Sequence, residues 1–295
     1  MEKVLVTIII LNWNGLENTI KCLDSLLKIR DIYYKVIVID NGSKNDEAAS
    51  LKEIYGSKIE VYPLPKNIGF TGGVNYGIKV SKKHKPEYFL LLNNDTEVKK
   101  DFLKNIISTA KSDSAIGVVS PMIYDYEKRN HVVFSGGYVN WLLGKTFHRT
   151  DKANSIRTCK FITGCCFMIK KELIREIGTL DNRFFAYFED AAYSVTATRA
   201  GYKCVCDPSA VIYHKGGAST EKTGPFKTYL ISRNRILFVN NYAPSLVKIY
   251  FFFFNLIKLF IAILTFIITK QNYRIFAYTK GYLDGTLGRG GLPRL

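Results

Sequence analysis

Five side chains stand out because each combines a reactive group with a position beside an apolar run. They are Asp40 in VIVIDNGS, Asp95 in FLLLNNDTEV, Glu189 and Asp190 in FFAYFEDAAYS, and His214 in VIYHKGG. Carboxylate and amide oxygens are the ligands that Mg²⁺ and Mn²⁺ prefer, and these ions often bind a substrate phosphate as well. A carboxylate in a partly apolar pocket can also accept a proton from a hydroxyl group. These residue types indicate a metal site with a carboxylate base nearby.

Asp95 and Asp40 also have ordinary structural explanations. Asp95 can hold a metal ion, or it can cap a helix that begins near Lys99. Its neighbours Asn93 and Asn94 can supply carbonyl oxygens or contact a sugar. Asp40 can bind the ribose hydroxyls or the base edge of a nucleotide, or it can cap the next helix.

The remaining candidates leave similar alternatives open. Asp190, next to Glu189, can act as a base, but acids are also favoured at a solvated helix N-terminus. His214 can be a ligand or a structural histidine. The stretch KNIGFTGGVNYGI (66–78) fits neither G-x-G-x-x-G nor G-x-x-x-x-G-K-[ST]. It can be a glycine-rich helix start, or its backbone amides can approach a phosphate.

The elements that must position these residues alternate between strand and helix. Apolar runs at 4–11, 36–40 and 88–92 predict strands buried on both faces. Helices are predicted between them at roughly 16–29, 44–55 and 72–83. The alternation predicts an α/β fold with an open, doubly wound, mostly parallel sheet. Ligands bind such sheets beyond the carboxyl ends of the strands, where the polar stretches 12–14, 40–43 and 93–95 fall.

After about residue 120 the pattern changes. Residues 130–150 are aromatic and rich in glycine, which predicts a loop or hairpin over the site. Residues 161–169 predict a short strand interrupted by Gly164, and a glycine inside a strand often marks the close approach of a ligand. A helix over 187–200 and a last strand over 211–214 complete this half.

The C-terminal region is apolar and basic. Residues 246–268 form an apolar run long enough to span a bilayer, interrupted by Lys248, Asn255 and Lys258. The last two would lie on one side of a helix. Its basic flanks are Arg233, Arg235, Lys270, Arg274 and Lys280. Residues 226–295 contain ten Lys or Arg and one acid, Asp284, which predicts contact with an anionic cytoplasmic membrane surface. The helix can lie in the interface, span or re-enter the bilayer, or be buried in a dimer interface.

Composition narrows the functional class further. The net charge is +17, but much of it adjoins the apolar C-terminal region, which argues against a nucleic-acid-binding protein. The six cysteines form no C-x-x-C pair, so we expect buried, reduced thiols in a cytosolic compartment. The first apolar run contains Thr7 and ends at Asn12 without a cleavage site, which predicts a strand and not a signal peptide.

Seven stretches carry a resemblance to a known family. In order they are TIIILNWNG, VIVIDNGS, NIGFTGGVNYG, LLLNNDT, FITGCCFMIKKE, DNRFFAYFED and DPSAVIYHKGGAS. Together they resemble the inverting family 2 glycosyltransferases of the GT-A fold over about residues 3–240. The similarity is greatest to the rhamnosyltransferase-like branch that builds bacterial and archaeal surface glycans. The resemblance implies a hexosyltransferase that uses Mg²⁺ or Mn²⁺. The implied donor is dTDP-rhamnose or a UDP-sugar, and the implied acceptor is a hydroxyl of a glycan or a polyprenyl-linked molecule.

The resemblance also assigns roles to individual residues. Asp95 and His214 correspond to metal ligands, with Asn93 where many members carry a further Asp, and Asp190 with its neighbour Glu189 corresponds to the catalytic acids. The implied donor-binding residues are Asn12, Asn14, Asp40, Asn67, Gly69, Phe70, Gly72, Gly73, Asn75, Asn94 and Gly164. Arg233 can contact the phosphates of the donor or of a lipid-linked acceptor, or it can be a membrane-surface charge.

One departure from the family pattern bears on activity. Family members commonly read E-D-x-D followed by an Arg, whereas this chain has Ala192 and Thr196 at the second acid and the Arg. A catalytically impaired relative that acts as a membrane scaffold is therefore the alternative function. The predicted organisation is a catalytic domain over 1–225, divided near residue 120 into nucleotide-binding and acceptor halves, followed by a membrane-associating region over 226–295. The sequence leaves open whether the chain forms homo-oligomers.

Overall fold

A computed structural model describes residues 5–30, 32–216 and 224–294, and an α/β architecture surrounds one main hydrophobic core. Twelve strands are described: β1 (Val6–Asn12), β2 (Tyr34–Asp40), β3 (Glu60–Pro63), β4 (Tyr88–Asn93), β5 (Thr96–Val98), β6 (Ile116–Asp125), β7 (Val132–Phe134), β8 (Gly137–Asn140), β9 (Lys145–His148), β10 (Arg157–Cys159), β11 (Cys166–Lys170) and β12 (Lys203–His214). The described helices are α1 (Leu16–Leu26), α2 (Glu47–Tyr55), α3 (Gly69–Ser81), α4 (Phe102–Ser112), α5 (Lys171–Ile177), α6 (Glu189–Arg199), α7 (Gly224–Tyr242), α8 (Ser245–Ile268) and α9 (Ile275–Thr286). The predicted α/β class is confirmed.

The N-terminal half of the sheet is parallel, as the buried apolar runs predict. Its strand order is β4-β1-β2-β3. In this register Asn12 lies opposite Asp40, and Leu11 lies opposite Asn93. The polar residues that end three strands therefore meet at one edge of the sheet.

The C-terminal half joins through an antiparallel strand. β11 runs antiparallel to both β4 and β6, while β12 runs parallel to β6. Two reversals restore the direction, so β6 and β12 point the same way as β4. His214 at the end of β12 consequently reaches the same edge of the sheet as Asn93.

Several predicted boundaries need correction. The strand predicted over 161–169 begins only at Cys166, because residues 162–165 turn at the edge of the sheet. The strand predicted over 211–214 begins at Lys203. β6 was not predicted at all, because Pro121 lacks a backbone donor and is unusual inside a sheet. It is accommodated opposite a register shift between Asp207 and Val211. The first strand was predicted from residue 4, which lies outside the described residues.

Two glycines of α3 bring that helix close to the sheet. A Cβ atom on Gly77 would lie 2.5 Å from Cγ2 of Ile9, and one on Gly73 would lie 2.9 Å from Cδ2 of Leu11. Neither position can accept a larger side chain without displacing β1. Close packing against the sheet is thus sufficient to explain why residues 73 and 77 are glycines, without reference to a ligand.

The C-terminal helices pack on the rest of the chain. Residues of α7 such as Phe238 belong to the main core, together with Phe251 of α8 and Tyr282 of α9. Six cysteines are free and buried, as the sequence predicts. The aromatic, glycine-rich stretch forms the hairpin β8–β9, and its Trp141 stacks on Phe238 with ring centroids 5.0 Å apart.

Candidate active site

Asn12 is the centre of a hydrogen-bond network at the carboxyl ends of β1 and β2. Its side chain is buried, and its amide nitrogen lies 2.8 Å from Oδ1 of Asp40 and 2.7 Å from Oε2 of Glu47, donating to both. Its carbonyl oxygen accepts a hydrogen bond from Oγ1 of Thr19 at 2.7 Å. Asn12 therefore holds two carboxylates in place and has little capacity left for a ligand. The sequence did not single out Glu47, because an acid in the first turn of a helix is common.

Asp40 is not a helix cap. The N-cap of α2 is Asp46, whose carboxylate accepts from the backbone nitrogen of Ala49. Asp40 instead accepts hydrogen bonds from Asn12 and Ser43 at the end of β2. Its capping alternative is wrong, and its role in nucleotide binding stays a prediction.

Asn14 fixes the loops on either side of this edge. It adopts a left-handed conformation with φ of 49°, and its side-chain oxygen accepts from the backbone nitrogen of Lys44. Its own backbone nitrogen donates to Oγ of Ser43. Next to it, Trp13 exposes much of its indole ring at the same edge. Trp13 was not predicted as a site residue, although its exposed aromatic ring offers a face for stacking.

A set of amides shapes the glycine-rich loop. The Asn41 amide nitrogen donates to the backbone oxygen of Gly69 and to the side chain of Asn67, and its oxygen accepts from Ile68. Phe70 follows in the first turn of α3 and is partly buried. Asn75, by contrast, bonds the backbone of Leu180, so it ties α3 to the segment before α6. Gly72 faces Ile68, which indicates a packing role.

We predict that Gly69→Ala destabilises the protein by about 2–4 kcal/mol. Gly69 has φ of 85°, and a Cβ atom would lie 2.4 Å from the backbone oxygen of Phe185. The substitution thus adds steric overlap to the cost of a left-handed alanine. Gly178→Ala is the matched control, because Gly178 has φ of 82° and open space around it. It should cost only about 1–2 kcal/mol. Denaturant unfolding measures both, and equal losses would contradict the predicted overlap.

Asp95 and His214 form the candidate metal site. Nε2 of His214 lies 3.1 Å from the buried Oδ1 of Asp95, and the two groups form an ion pair when the imidazole is protonated. Asp95 does not cap a helix, since α4 begins after Asp101. A carboxylate beside an imidazole fits the ligands that Mn²⁺ accepts. Burial lowers the pKa of His214, but Cys165 and Asp95 outweigh it and raise this pKa to about 11, so a bound cation would have to displace the imidazole proton.

The protein supplies only part of a coordination sphere. In residues 5–30, 32–216 and 224–294, no group of three or more His, Cys, Asp or Glu side chains could hold a metal ion. An ion at Asp95 and His214 would need further ligands from water and substrate phosphates, as is usual for Mg²⁺. The amide nitrogen of Asn94 donates to Oγ1 of Thr19 at 2.9 Å, which fixes the orientation of this side chain.

Glu189 and Asp190 lie in the first turn of α6, where Glu189 is buried and Asp190 is half-buried. Burial raises the pKa of Asp190 to about 6, although the backbone nitrogens of Gly164 and Ala191 donate to its carboxylate at 2.7 Å each and oppose the shift. Burial and the neighbouring Asp190 raise the pKa of Glu189 well above its usual range. Oε2 of Glu189 has no hydrogen-bond partner among the described residues. The alternative of a freely solvated helix start is therefore wrong for Glu189.

A strained segment precedes these acids. Tyr187 and Phe188 have φ of 73° and 74°, which is unusual for aromatic residues. The buried Asn234 of α7 donates to the backbone oxygens of Ala186 and Tyr187 at 2.8 and 3.0 Å. Asn234 is thus a positioning residue for the acidic pair. The sequence did not reveal it, because the contact joins residues about 47 positions apart in the chain.

Residues 164–165 link the two acidic parts of the site. The backbone nitrogen of Asn93 donates to the oxygen of Cys165 at 2.8 Å, and the neighbouring Gly164 donates to Asp190. A Cβ atom on Gly164 would lie 3.3 Å from Oδ2 of Asp190. The residues 164–165 therefore connect the end of β4, where Asp95 lies, directly to the start of α6.

The structure also shows the surroundings of Ala192 and Arg233, two residues discussed in the sequence analysis. Ala192 is buried in α6, and Oγ1 of Thr196 donates to its backbone oxygen. Arg233 is fully buried: Nη1 donates to the backbone oxygen of Gly291, and the guanidinium lies 5.3 Å from the ring centroid of Tyr229. Its interpretation as a membrane-surface charge is wrong, because burial separates it from the surface.

Comparisons with known proteins agree with this architecture. Residues 7–178 match the model of the family described as glycosyl transferase family 2. The low-salt glycan biosynthesis hexosyltransferase Agl10 of Haloferax volcanii is 23% identical over 98% of this chain and 93% of its own length. The dTDP-rhamnosyl transferase RfbF of Shigella flexneri is 23% identical over 95% and 93%. An N-acetylglucosaminyl-diphospho-decaprenol L-rhamnosyltransferase of Mycobacterium tuberculosis is 22% identical over 63% and 67%.

Solved structures share the fold. GalNAc-T7, crystallised with UDP, GalNAc and Mn²⁺, superimposes with a TM-score of 0.60 at 15% identity over 84% of this chain, which spans about half (54%) of that structure. TarS 1-349 of S. aureus superimposes with a TM-score of 0.56 at 17% identity over 84% of this chain and 71% of its own length. The chain therefore belongs to glycosyl transferase family 2, and it is a glycosyltransferase of the GT-A type with rhamnosyltransferases among its relatives.

Proposed function

We propose that this glycosyltransferase moves a sugar, with inversion at the anomeric carbon, from a nucleoside diphosphate to a hydroxyl of a surface glycan or a polyprenyl-linked acceptor. The observation that carries the proposal is that residues 164–165 join the two acidic parts of the site: Gly164 donates to the base candidate Asp190, and Cys165 accepts from Asn93, two residues before Asp95. We further propose that the reaction depends on Mg²⁺ or Mn²⁺ bound by Asp95 and His214.

The donor would bind along the edge of the sheet. Asp40 and Glu47 lie beyond β1 and β2, where they can accept hydrogen bonds from ribose hydroxyls, and the exposed ring of Trp13 offers a stacking face for the base. The diphosphate would then extend toward Asp95. A divalent cation held there would neutralise the charge that develops on the leaving nucleoside diphosphate.

Asp190 would act as the base. Its carboxylate takes the proton of the acceptor hydroxyl while that oxygen forms a bond to the anomeric carbon. The bond from this carbon to the diphosphate oxygen breaks, and the nucleoside diphosphate leaves with the electron pair. A pKa of about 6 leaves Asp190 mostly ionised at neutral pH. Because this pKa lies near the operating pH, the carboxylate is also basic enough for efficient proton transfer. Glu189, with its pKa well above the usual range, would be protonated and able to donate a hydrogen bond.

The donor can be identified by thermal shift. A screen of dTDP-, UDP- and GDP-sugars, each with and without MnCl₂, measures binding to the folded state. At a concentration about 100 times Kd, a bound donor stabilises the protein by about 2.7 kcal/mol. We expect a dTDP- or UDP-sugar to raise Tm, and more so with Mn²⁺. If none of these donors raises Tm under either condition, the proposed function is wrong.

Ala192 supports one second candidate, a donor-binding protein without transfer activity. Its buried position lacks the second acid of the E-D-x-D pattern. Donor hydrolysis measured with the ligand that raises Tm separates the two functions. Turnover supports the enzyme, whereas binding without turnover supports a scaffold. In either case we propose that the protein lies at the cytoplasmic face of the cell membrane, with the catalytic side chains within residues 1–225 and Asn234 of α7 positioning the acidic pair.

A further inference from the structure

Helix α8 presents a large apolar surface that other described residues leave uncovered. Its most apolar window of 18 residues has a mean hydropathy of 2.5, and only 11% of that window is buried. By length and composition α8 could cross a membrane. The exposed side chains include Ile249, Phe252, Phe253, Leu256, Ile257, Phe260, Ile261, Leu264, Ile267 and Ile268. A patch of this size is rare on a soluble monomer and marks an interaction surface.

The polar interruptions of α8 face the protein. Asn255 is buried and accepts a hydrogen bond from the guanidinium of Arg235, which also lies 5.1 Å from the ring centroid of Phe251. Lys258, one turn further along, is half-buried on the same side. One side of α8 is thus fastened to α7, and the side left free is apolar.

The two ends of α8 lie on the same side of any membrane. α7 precedes it and belongs to the main core, and α9 follows it and packs back onto α7. The contact between α7 and α9 is close: a Cβ atom on Gly281 would lie 2.4 Å from the backbone oxygen of Tyr229, and one on Gly285 would lie 2.7 Å from that of Arg233. A single span would place α9 across the bilayer from α7, which this packing forbids.

The outer face of α9 continues the apolar surface. Phe276, Leu283 and Leu287 are exposed, and their spacing of seven and four residues places them on one side of the helix. Phe266 of α8 and Tyr278 of α9 meet edge to face, with ring centroids 5.7 Å apart. The two helices therefore present one surface, which we call the α8–α9 face.

The charged residues beside the α8–α9 face indicate which kind of surface it binds. Lys270 is exposed, and Lys248 and Arg274 are half-buried, so three cations lie near the ends of α8. The predicted contributions of Arg233, Arg235 and Lys280 are wrong, because the two arginines are buried and Lys280 pairs with Asp284. The only acid in residues 226–295 is this buried Asp284. An apolar face bordered by cations matches an anionic lipid surface.

We propose that the α8–α9 face lies in the plane of an anionic bilayer, with α8 sunk into the headgroup boundary over its length of about 36 Å. The inference rests on the proposed membrane partner of the enzyme. It fixes the topology that the sequence left open: α8 does not span the membrane, and both of its ends stay on the side of the catalytic domain.

Vesicle flotation of the full chain tests the partner. We expect it to float with phosphatidylglycerol vesicles. The fraction that floats with phosphatidylcholine vesicles should be at least about tenfold smaller, because these vesicles carry no net negative charge to attract Lys248, Lys270 and Arg274. Phe253→Glu with Ile257→Glu should lower binding at least about tenfold, since both residues leave the apolar phase. Ile54→Glu on α2 is the matched control, because Ile54 is 52% exposed and Phe253 is 61% exposed. This control should float like the unaltered chain.

Cysteine labelling tests the topology. Leu246→Cys and Thr269→Cys place thiols at the two exposed ends of α8, and Ile54→Cys marks the catalytic side. The six native cysteines are buried and should label slowly. In intact cells we expect an impermeant maleimide to label none of the three positions, and after permeabilisation all three. Labelling of only one end of α8 from outside would establish a span and overturn the proposal.

The same experiments separate a dimer interface from a membrane surface, and they separate this inference from the proposed function. Failure to float with anionic vesicles, together with a dimer that Phe253→Glu and Ile257→Glu dissociate, would assign the face to a second copy and also overturn the proposal. The donor-induced rise in Tm, measured in detergent, reports on the proposed function alone. It should be the same in the unaltered chain and in the variant with two glutamates.

Discussion

Asp190→Asn is expected to lower the rate of sugar transfer by about 10²–10⁴-fold, because the amide cannot take the proton of the acceptor hydroxyl. Donor binding should change little, since Asp190 accepts from Gly164 and Ala191, whereas Asp40 and Glu47 belong to a separate hydrogen-bond network around Asn12. Initial rates of transfer give the loss in kcat, and the donor-induced shift in Tm gives the affinity.

The pH dependence provides a second test of this role. The pKa of Asp190 is raised to about 6, so the carboxylate form predominates only above that pH. The rate of the unaltered enzyme should therefore rise as the pH passes through about 6 and then level off, and this inflection should vanish in Asp190→Asn. Asp101→Asn is the control, because Asp101 is an exposed carboxylate without a side-chain capping bond. Equal turnover in Asp190→Asn would remove Asp190 from the mechanism.

Asp95→Asn is expected to lower donor hydrolysis by about 10²-fold or more, because stabilisation of the leaving diphosphate by a cation amounts to several kcal/mol. The amide lacks the negative charge that draws the cation to the site. The contribution of Mn²⁺ to the donor-induced rise in Tm should disappear in the same variant. Thermal shift with and without MnCl₂ measures this directly, before any acceptor is known.

A neighbouring acid supplies the comparison for Asp95. Glu97 lies two residues further along, but it forms a two-point ion pair with Arg129 on the surface. Glu97→Gln should keep both the hydrolysis rate and the effect of Mn²⁺. A Mn²⁺ effect that persists in Asp95→Asn would place the cation elsewhere and reject the proposed pair with His214.

The parts of the fold that sequence predicts best are those with local signals. Three apolar runs that end in Asn12, Asp40 and Asn93 identify parallel strands, and parallel strands bring their ends to one edge. Helix boundaries were close for the same reason, since α3 begins three residues before the predicted start. β6 escaped prediction, because Pro121 is tolerated only through a register shift in a distant strand.

The division of labour within the site depends on contacts that no local pattern reveals. Asn12 was predicted to meet the nucleotide, but its amide is used by Asp40 and Glu47. Asn75 was predicted to bind the donor, but it secures the segment near Leu180. The sequence alone is compatible with several hydrogen-bond partners for each asparagine. The packing of elements that are distant in the chain determines which partner each one has. Residue type predicts that a site exists, whereas tertiary contacts decide which residues form it.

Three consecutive residues of α7 limit how this enzyme can be shortened. Arg233 meets the C-terminal segment at Gly291, Asn234 holds the carbonyls before the acidic pair, and Arg235 fastens α8. A fragment ending near residue 225, where the composition changes, would lose all three connections and release Tyr187 and Phe188 from their strained conformation. A water-soluble form is better sought by recoding the outward side chains of α8 as polar ones while every residue of α7 is retained.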